Sequence, residues 1–305
     1  MPDSRILVVK LGAFGNVVLS CGPFGAIRRF HRDAEISVLT TAPYAGILAQ
    51  SPYFDRVLID ERPAWWNLAG VARLRRTLIC GGFNRVYDLQ TSGRSSKYFG
   101  LFPRGAKPEW SGIARGCSHP DRDPRRDFIH DIDRQNGQLR QAGIAEIPPL
   151  DLSWCIADIA GFGLPAHFAL LVPGSSPHRP GKRWPVGQYR ALAQALADKG
   201  IATVVLGGNG ERELAAEIGA TFDLTGRTGF GEIAELGRRA AFVVGNDTGP
   251  VHLLAAVGCR SVVLFSHESD PVLCAPRGRS VTVLRRPLLA DLTLNDVLGS
   301  IGEQS

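Results

Sequence analysis

Short apolar runs rich in β-branched residues alternate along this chain with segments of helical spacing, and glycine-bearing turns join the two. That rhythm points to parallel sheets, since parallel strands need crossovers long enough to hold a helix. The opening RILVVKLGAFGNVVLSCGPFGAIRRF reads as a strand over Ile6–Lys10, a Gly-bearing turn and a helical segment. AEISVLTT, DRVLID and NRVYDLQ add three β-rich runs, and HDIDRQNGQLRQAGI is a helical candidate leading into IPPLDLSW. Then the rhythm restarts. FALLVPGSS, IATVVLGG, AFVVGNDTG, RSVVLFS and VTVLRR read as strands, with VGQYRALAQALADKG, GERELAAEIG, FGEIAELGRRA and PVHLLAAVG as helices. The expected architecture is α/β, two Rossmann-like domains over residues 1–158 and 159–305. Residues 100–127 (GLFPRGAKPEWSGIARGCSHPDRDPRRD) lack periodic apolar positions and are expected to form a long functional loop.

With 44% hydrophobic and 21% charged residues in 305, the chain can bury two ordinary cores, which excludes disorder. No stretch reaches the roughly 18–20 apolar residues of a membrane span. Lys10 interrupts ILVV, so that run is read as a first strand rather than a signal peptide, and a cytoplasmic protein is expected. The six cysteines are scattered without a C-x-x-C pair, which argues for reduced thiols and against a zinc site. Charge is uneven. Residues 1–150 carry 21 Lys and Arg against 14 Asp and Glu, and the remainder 14 against 15. A basic first half suits an anionic partner (nucleic acid, a phosphorylated substrate or an acidic membrane surface) or is simply a solvated Arg-rich surface. No nucleic-acid recognition motif accompanies it, so nucleic acid is not expected as a partner.

Two segments carry chemistry. In GNDTGPVH (245–252) a strand ends, a polar turn follows and Pro250 fits the first helical position, where its missing N–H is no loss. A helix starting there aims free N–H groups and its positive dipole end at the strand ends, a ready phosphate site. Thr248 adds a hydroxyl, and His252 lies within the first turn. The same residues also suit a plain capped helix with a core histidine. Asp247 so near an anion needs a reason, either a sugar hydroxyl or the helix cap. In PGSSPHRPGKRWP (173–185), after another apolar strand, Ser175 and Ser176 offer hydroxyls and Lys182 a compact positive charge suited to a diphosphate. A third loop, GGNGERE (207–213), brings Glu211 within range of ribose hydroxyls. Open α/β sheets bind ligands at such strand ends.

LGAFGNVVL, PGSSPHRPGKRWP, GGNGERE and VVGNDTGPVHLLAAVG followed by VVLF together resemble glycosyltransferase family 9, whose best-known members are the ADP-heptose:lipopolysaccharide heptosyltransferases. The resemblance runs in order from about residue 5 to 285, and D-T-G-P-x-H is its most specific part. It implies a GT-B architecture, two Rossmann-like domains facing across a cleft. The second domain would hold a nucleotide sugar, ADP-heptose in the best-known members, and the first an anionic lipid-linked saccharide. Transfer would invert the anomeric carbon in one displacement, with no cofactor and no obligatory metal. Carried over by position, Asp247, Thr248, Gly249 and His252 would line the donor site, Ser175, Ser176 and Lys182 would contact the diphosphate, and Glu211 the nucleoside. Lys182 would also stabilise the leaving group. Gly15, Arg94 and Lys97 are the acceptor candidates, the last two for its phosphates, and peripheral contact with the inner membrane is consistent with the basic first half.

The match breaks at one place. The family's first loop carries Gly-Asp, the Asp being the base for the acceptor hydroxyl, and here the pair is Gly15-Asn16. An amide accepts no proton at neutral pH, and a positioned base contributes roughly 10²–10⁴-fold. Another carboxylate such as Asp88 could substitute, Asn16 could merely orient the hydroxyl in a slow enzyme, or the protein could bind nucleotide sugars without transferring them. A Rossmann oxidoreductase is disfavoured, because Gly12 and Gly15 do not make G-x-G-x-x-G.

Overall fold

The computed structural model describes residues 4–176 and 178–302. The chain divides into two compact units, one ending at Trp154 and the other starting at Cys155. The sequence reading put this boundary four residues later.

The first unit holds strands β1 (Arg5–Val9), β2 (Glu35–Thr40), β3 (Arg56–Ile59), β4 (Arg85–Asp88), β5 (Glu109–Gly112) and β6 (His119–Pro120). The second holds β7 (Phe168–Val172), β8 (Ala202–Val205), β9 (Phe222–Asp223), β10 (Phe242–Asn246), β11 (Ser261–Phe265) and β12 (Val281–Arg285). The first sheet runs β3-β2-β1-β4-β5-β6 and the second β12-β11-β10-β7-β8-β9. Every adjacent pair is parallel. Counted from its own first strand, each sheet has the same order, that of the doubly wound nucleotide-binding fold. The order reverses between β1 and β4, and again between β7 and β10. There the loops part to opposite faces and open a crevice at the carboxyl ends of the strands.

Central strands read as continuous apolar runs because helices cover both faces. All five residues of β7, β10 and β11 are buried. Leu7, Val9, Leu74, Leu78 and Trp110 anchor one first-unit core, and Leu171, Trp184, Tyr189, Leu192 and Leu264 anchor a second-unit core. One expectation is overturned. Within residues 100–127 the chain returns twice to the sheet, as β5 and β6, so the segment is two shorter connections rather than one long loop. No helix among the described residues is long and apolar enough to cross a membrane.

Gly245 in β10 lets the following helix fold back onto the sheet. A Cβ there would stand 2.6 Å from Val251 Cγ2 and 2.8 Å from Val172 Cβ. Both neighbours are packed core, so neither can move aside. Gly245→Ala is expected to destabilise the chain by about 1–3 kcal/mol. Urea unfolding should show a lowered midpoint with an unchanged slope.

Candidate functional site

At the second sheet's reversal point, the loops after β7 and β10 are tied together by one amide. Asn246 is wholly buried. Its Oδ1 accepts from the Trp184 backbone N–H and the Tyr189 hydroxyl, each at 3.1 Å. Its Nδ2 donates to Pro173 O at 2.7 Å and Gly174 O at 3.3 Å. That uses the full hydrogen-bonding capacity of the side chain. Both ends of the 173–184 segment are thereby fixed to the end of β10.

The next residue pins the middle of that segment. Asp247 Oδ2 accepts from Lys182 Nζ at 2.5 Å, and its Oδ1 lies 3.6 Å from His252 Nε2. Burial pushes the Asp247 carboxyl up, but the contact with His252 and the bond and positive charge of Lys182 outweigh it and hold the group at about 2. His252 is buried, and its Nδ1 has no hydrogen-bond partner among the described residues. Thr248 is the N-cap of the helix Gly249–Ala256, yet its hydroxyl makes no capping bond. Pro250 occupies the second helical position rather than the first. The Lys182 ammonium and His252 thus meet around one carboxylate, which directly precedes the helix N-cap at the carboxyl edge of the sheet. With Asp247 balancing the Lys182 ammonium, the fixed dipole and free N–H groups of the helix N-terminus are what remain to attract an anion.

The remaining predicted positions fall close by with altered roles. Ser175 is buried, its Oγ accepting from Arg183 Nε and donating to Arg179 O, both at 3.2 Å. Its hydroxyl therefore shapes the loop. Ser176 stands exposed. Glu211 accepts the Gly208 N–H at 2.8 Å through Oε2. A Cβ on Gly174 would come within 3.0 Å of Glu211 Cγ, so the loops after β7 and β8 are in contact. Asp247 does not cap the helix. Asn246, Arg183 and Glu268, which accepts the Gly181 N–H at 3.2 Å, belong to the same frame and escaped the sequence reading.

In the first unit, the corresponding reversal point opens a cavity of about 500 Å³, lined among others by Gly12, Tyr44, Arg62, Gln90 and Arg94. Gly12 has φ +126, and a Cβ on it would strike the Tyr44 ring, so glycine is required in this wall. Arg94 reaches the cavity, but its guanidinium is engaged by Tyr98 Oη at 2.7 Å and Pro63 O at 3.0 Å. Lys97 does not line it and sits over the Trp65 ring at 5.5 Å. Gly15 is buried in the helix Phe14–Leu19, with Asn16 beside it partly exposed. The Asn16 side chain makes no hydrogen bond among the described residues, while its carbonyl accepts from Ser20 Oγ at 2.6 Å. Ser20 also meets Gln135 at 2.8 Å, and Gln135 meets Asp131 at 2.8 Å, with buried Lys10 3.7 Å beyond. This interior chain holds the helix that carries Asn16. Asp88 has no exposed surface, and burial pushes its carboxyl up to about 7. Its Oδ1 accepts the Thr91 N–H at 3.0 Å, while its Oδ2 has no hydrogen-bond partner among the described residues.

Two doubly wound domains in one chain, with an anion-suited helix terminus at the reversal point of the second, define a GT-B protein. Residues 133–296, more than half of the chain, match the sequence pattern of Glycosyltransferase family 9 (heptosyltransferase). The chain belongs to that family. It is 30% identical over 115 residues to lipooligosaccharide heptosyltransferase 2 of Haemophilus influenzae, covering 35% of this chain and 33% of that protein. The match therefore spans a third of the relative's length. In structure it resembles a family 9 glycosyl transferase of Veillonella parvula, with TM-score 0.81 and 19% identity over 98% of this chain and 97% of that one. It also resembles the E. coli heptosyltransferase WaaC with ADP, with TM-score 0.77 and 24% identity over 99% and 100% of the two chains. These last two likenesses establish the two-domain fold.

The Asp247 cluster carries a pH signature. Its folded value lies below the ordinary 3.8, so its stabilisation is complete above pH 4 and fades as pH falls toward about 2. The shift corresponds to roughly 2 kcal/mol. Asp247→Asn should therefore be less stable than the unaltered chain near pH 6. The gap should narrow steadily between pH 4 and 2 in denaturant titrations.

Proposed function

We propose that this chain is an inverting, metal-independent transferase that moves a heptose from ADP-heptose to a lipopolysaccharide inner-core-type acceptor. It would work at the cytoplasmic face of the inner membrane and need no cofactor beyond the donor. The observation that carries this reading is the Lys182 ammonium held by Asp247, the residue immediately before the Thr248 N-cap of the helix Gly249–Ala256. Loss of a nucleoside diphosphate concentrates negative charge on its terminal phosphate. Fixed donors aimed at that charge stabilise the transition state more than the ground state. In this reading Asp247 holds the Lys182 ammonium in place and yields part of it to the phosphate as the bond breaks. Ser176 adds a hydroxyl, Gly249 a backbone N–H, and Glu211 flanks the nucleoside. The acceptor enters the first-unit cavity, with Arg62 and Arg94 facing its phosphates.

Asn16 then orients the acceptor hydroxyl without removing its proton, which leaves transfer slow. A second reading, a nucleotide-sugar-binding protein that does not transfer, is favoured by that same amide. Thermal shift tests the shared part: ADP-heptose should raise the melting point by mass action. Lys182→Gln should weaken that binding about tenfold or more. No shift with any ADP-, UDP- or GDP-sugar would dispose of both readings. Product formation separates them, and Asn16→Asp should raise kcat by roughly 10²–10⁴-fold if the position faces the acceptor. An unchanged kcat in that variant would remove position 16 from the mechanism.

A further inference from the structure

The loop after β3 leaves apolar side chains in water beside the first-unit cavity. Trp66 is 86% exposed and Leu68 78%, at the start of the helix Leu68–Cys80. Both sit at the carboxyl edge of the first sheet, the edge that bears the cavity. The link is direct. Arg94, which lines the cavity, stacks on the neighbouring Trp65 ring at 5.2 Å, and Lys97 stacks on the same ring.

Charge around this patch is one-sided. The loop and helix over residues 60–80 contain four arginines (Arg62, Arg73, Arg75 and Arg76) against Asp60 and Glu61, and Asp60 is buried. Only Glu61 faces solvent, paired with Arg73 at 3.3 Å. On the helix, Ala69, Ala72, Arg73 and Arg76 share the exposed face that continues from Leu68. Aromatic and aliphatic tips set among arginines match the boundary of an anionic bilayer. Tryptophan settles at the headgroup level there, and each nearby cation is drawn to acidic lipid. A protein partner would need extensive shape complementarity, whereas this patch is small, protruding and basic.

We propose that Trp66 and Leu68, with Arg73, Arg76 and Lys97, form a docking surface for an anionic phospholipid bilayer, placing the first-unit cavity against the membrane. The inference extends the lipid-linked acceptor proposed above. Its test needs no acceptor and no turnover, so the two can fail separately.

The test is co-sedimentation of the full chain with vesicles of neutral phosphatidylcholine alone, or containing 30% phosphatidylglycerol. Binding is expected only to the anionic vesicles and should fall steeply in high salt. Trp66→Ala/Leu68→Ala should reduce the partition coefficient at least tenfold, and Arg73→Gln/Arg76→Gln should reduce it and flatten the salt dependence. All four side chains are exposed, and unchanged circular dichroism and melting would verify intact folding. Equal binding to neutral vesicles, no binding to either, or undiminished binding by the Trp66/Leu68 variant would each overturn the proposal. So would a concentration-dependent dimer that the apolar double variant abolishes while its vesicle binding stays the same.

Discussion

A single buried amide decides the shape of the loops at the reversal point of the second sheet. Asn246 satisfies four partners at once, two of them carbonyls at the start of the 173–184 segment and one the N–H at its end. Each bond alone is modest, but a buried polar group left without partners is expensive, so the arrangement is close to all-or-none. With both ends held, the loop can present Lys182 to Asp247 without first ordering a long segment. In the proposed transfer, preorganisation of this kind would let the ammonium act on developing charge instead of being consumed in arranging itself.

The ion pair built on that frame is itself a compromise. Lys182 and Asp247 are both largely buried, and an isolated charge of either sign there would be strongly disfavoured. Held together, they fix the ammonium at the carboxyl edge of the second sheet. The helix terminus and Thr248 add fixed dipoles that need no counter-charge. The first unit applies the same principle differently: its buried Lys10 is matched by Asp131, and that chain of polar contacts ends under the helix that carries Asn16.

Much of the fold was legible beforehand. Apolar runs such as FALLV and VVLF are uninterrupted and bounded by polar or turn residues (His167 and Pro173, Ser261 and Ser266), so their burial on two faces follows from composition. β5 and β6 were not legible, because EWSG and HP carry no periodic pattern and their pairing depends on β4 already being present. At the site, the helix cap offered as one role for Asp247 falls to Thr248, and the Asp247 carboxylate pairs with Lys182 instead. Its partner lies 65 positions away, and nothing local announces it. Ser175 looked like a phosphate ligand by type, and packing turned it inward toward Arg179 and Arg183.

By itself the sequence determined the two doubly wound sheets, the place of the anion-suited helix terminus and the loss of the acidic side chain at position 16. These are local facts, set by side-chain type, periodicity and turn chemistry. Only the tertiary structure decided which charges neutralise one another, that Asp88 is sealed away, and that Trp66 and Leu68 stay in water beside the cavity. The reason is physical. Pairing and burial depend on which distant segments arrive at the same point, and that is fixed by the packing of whole elements.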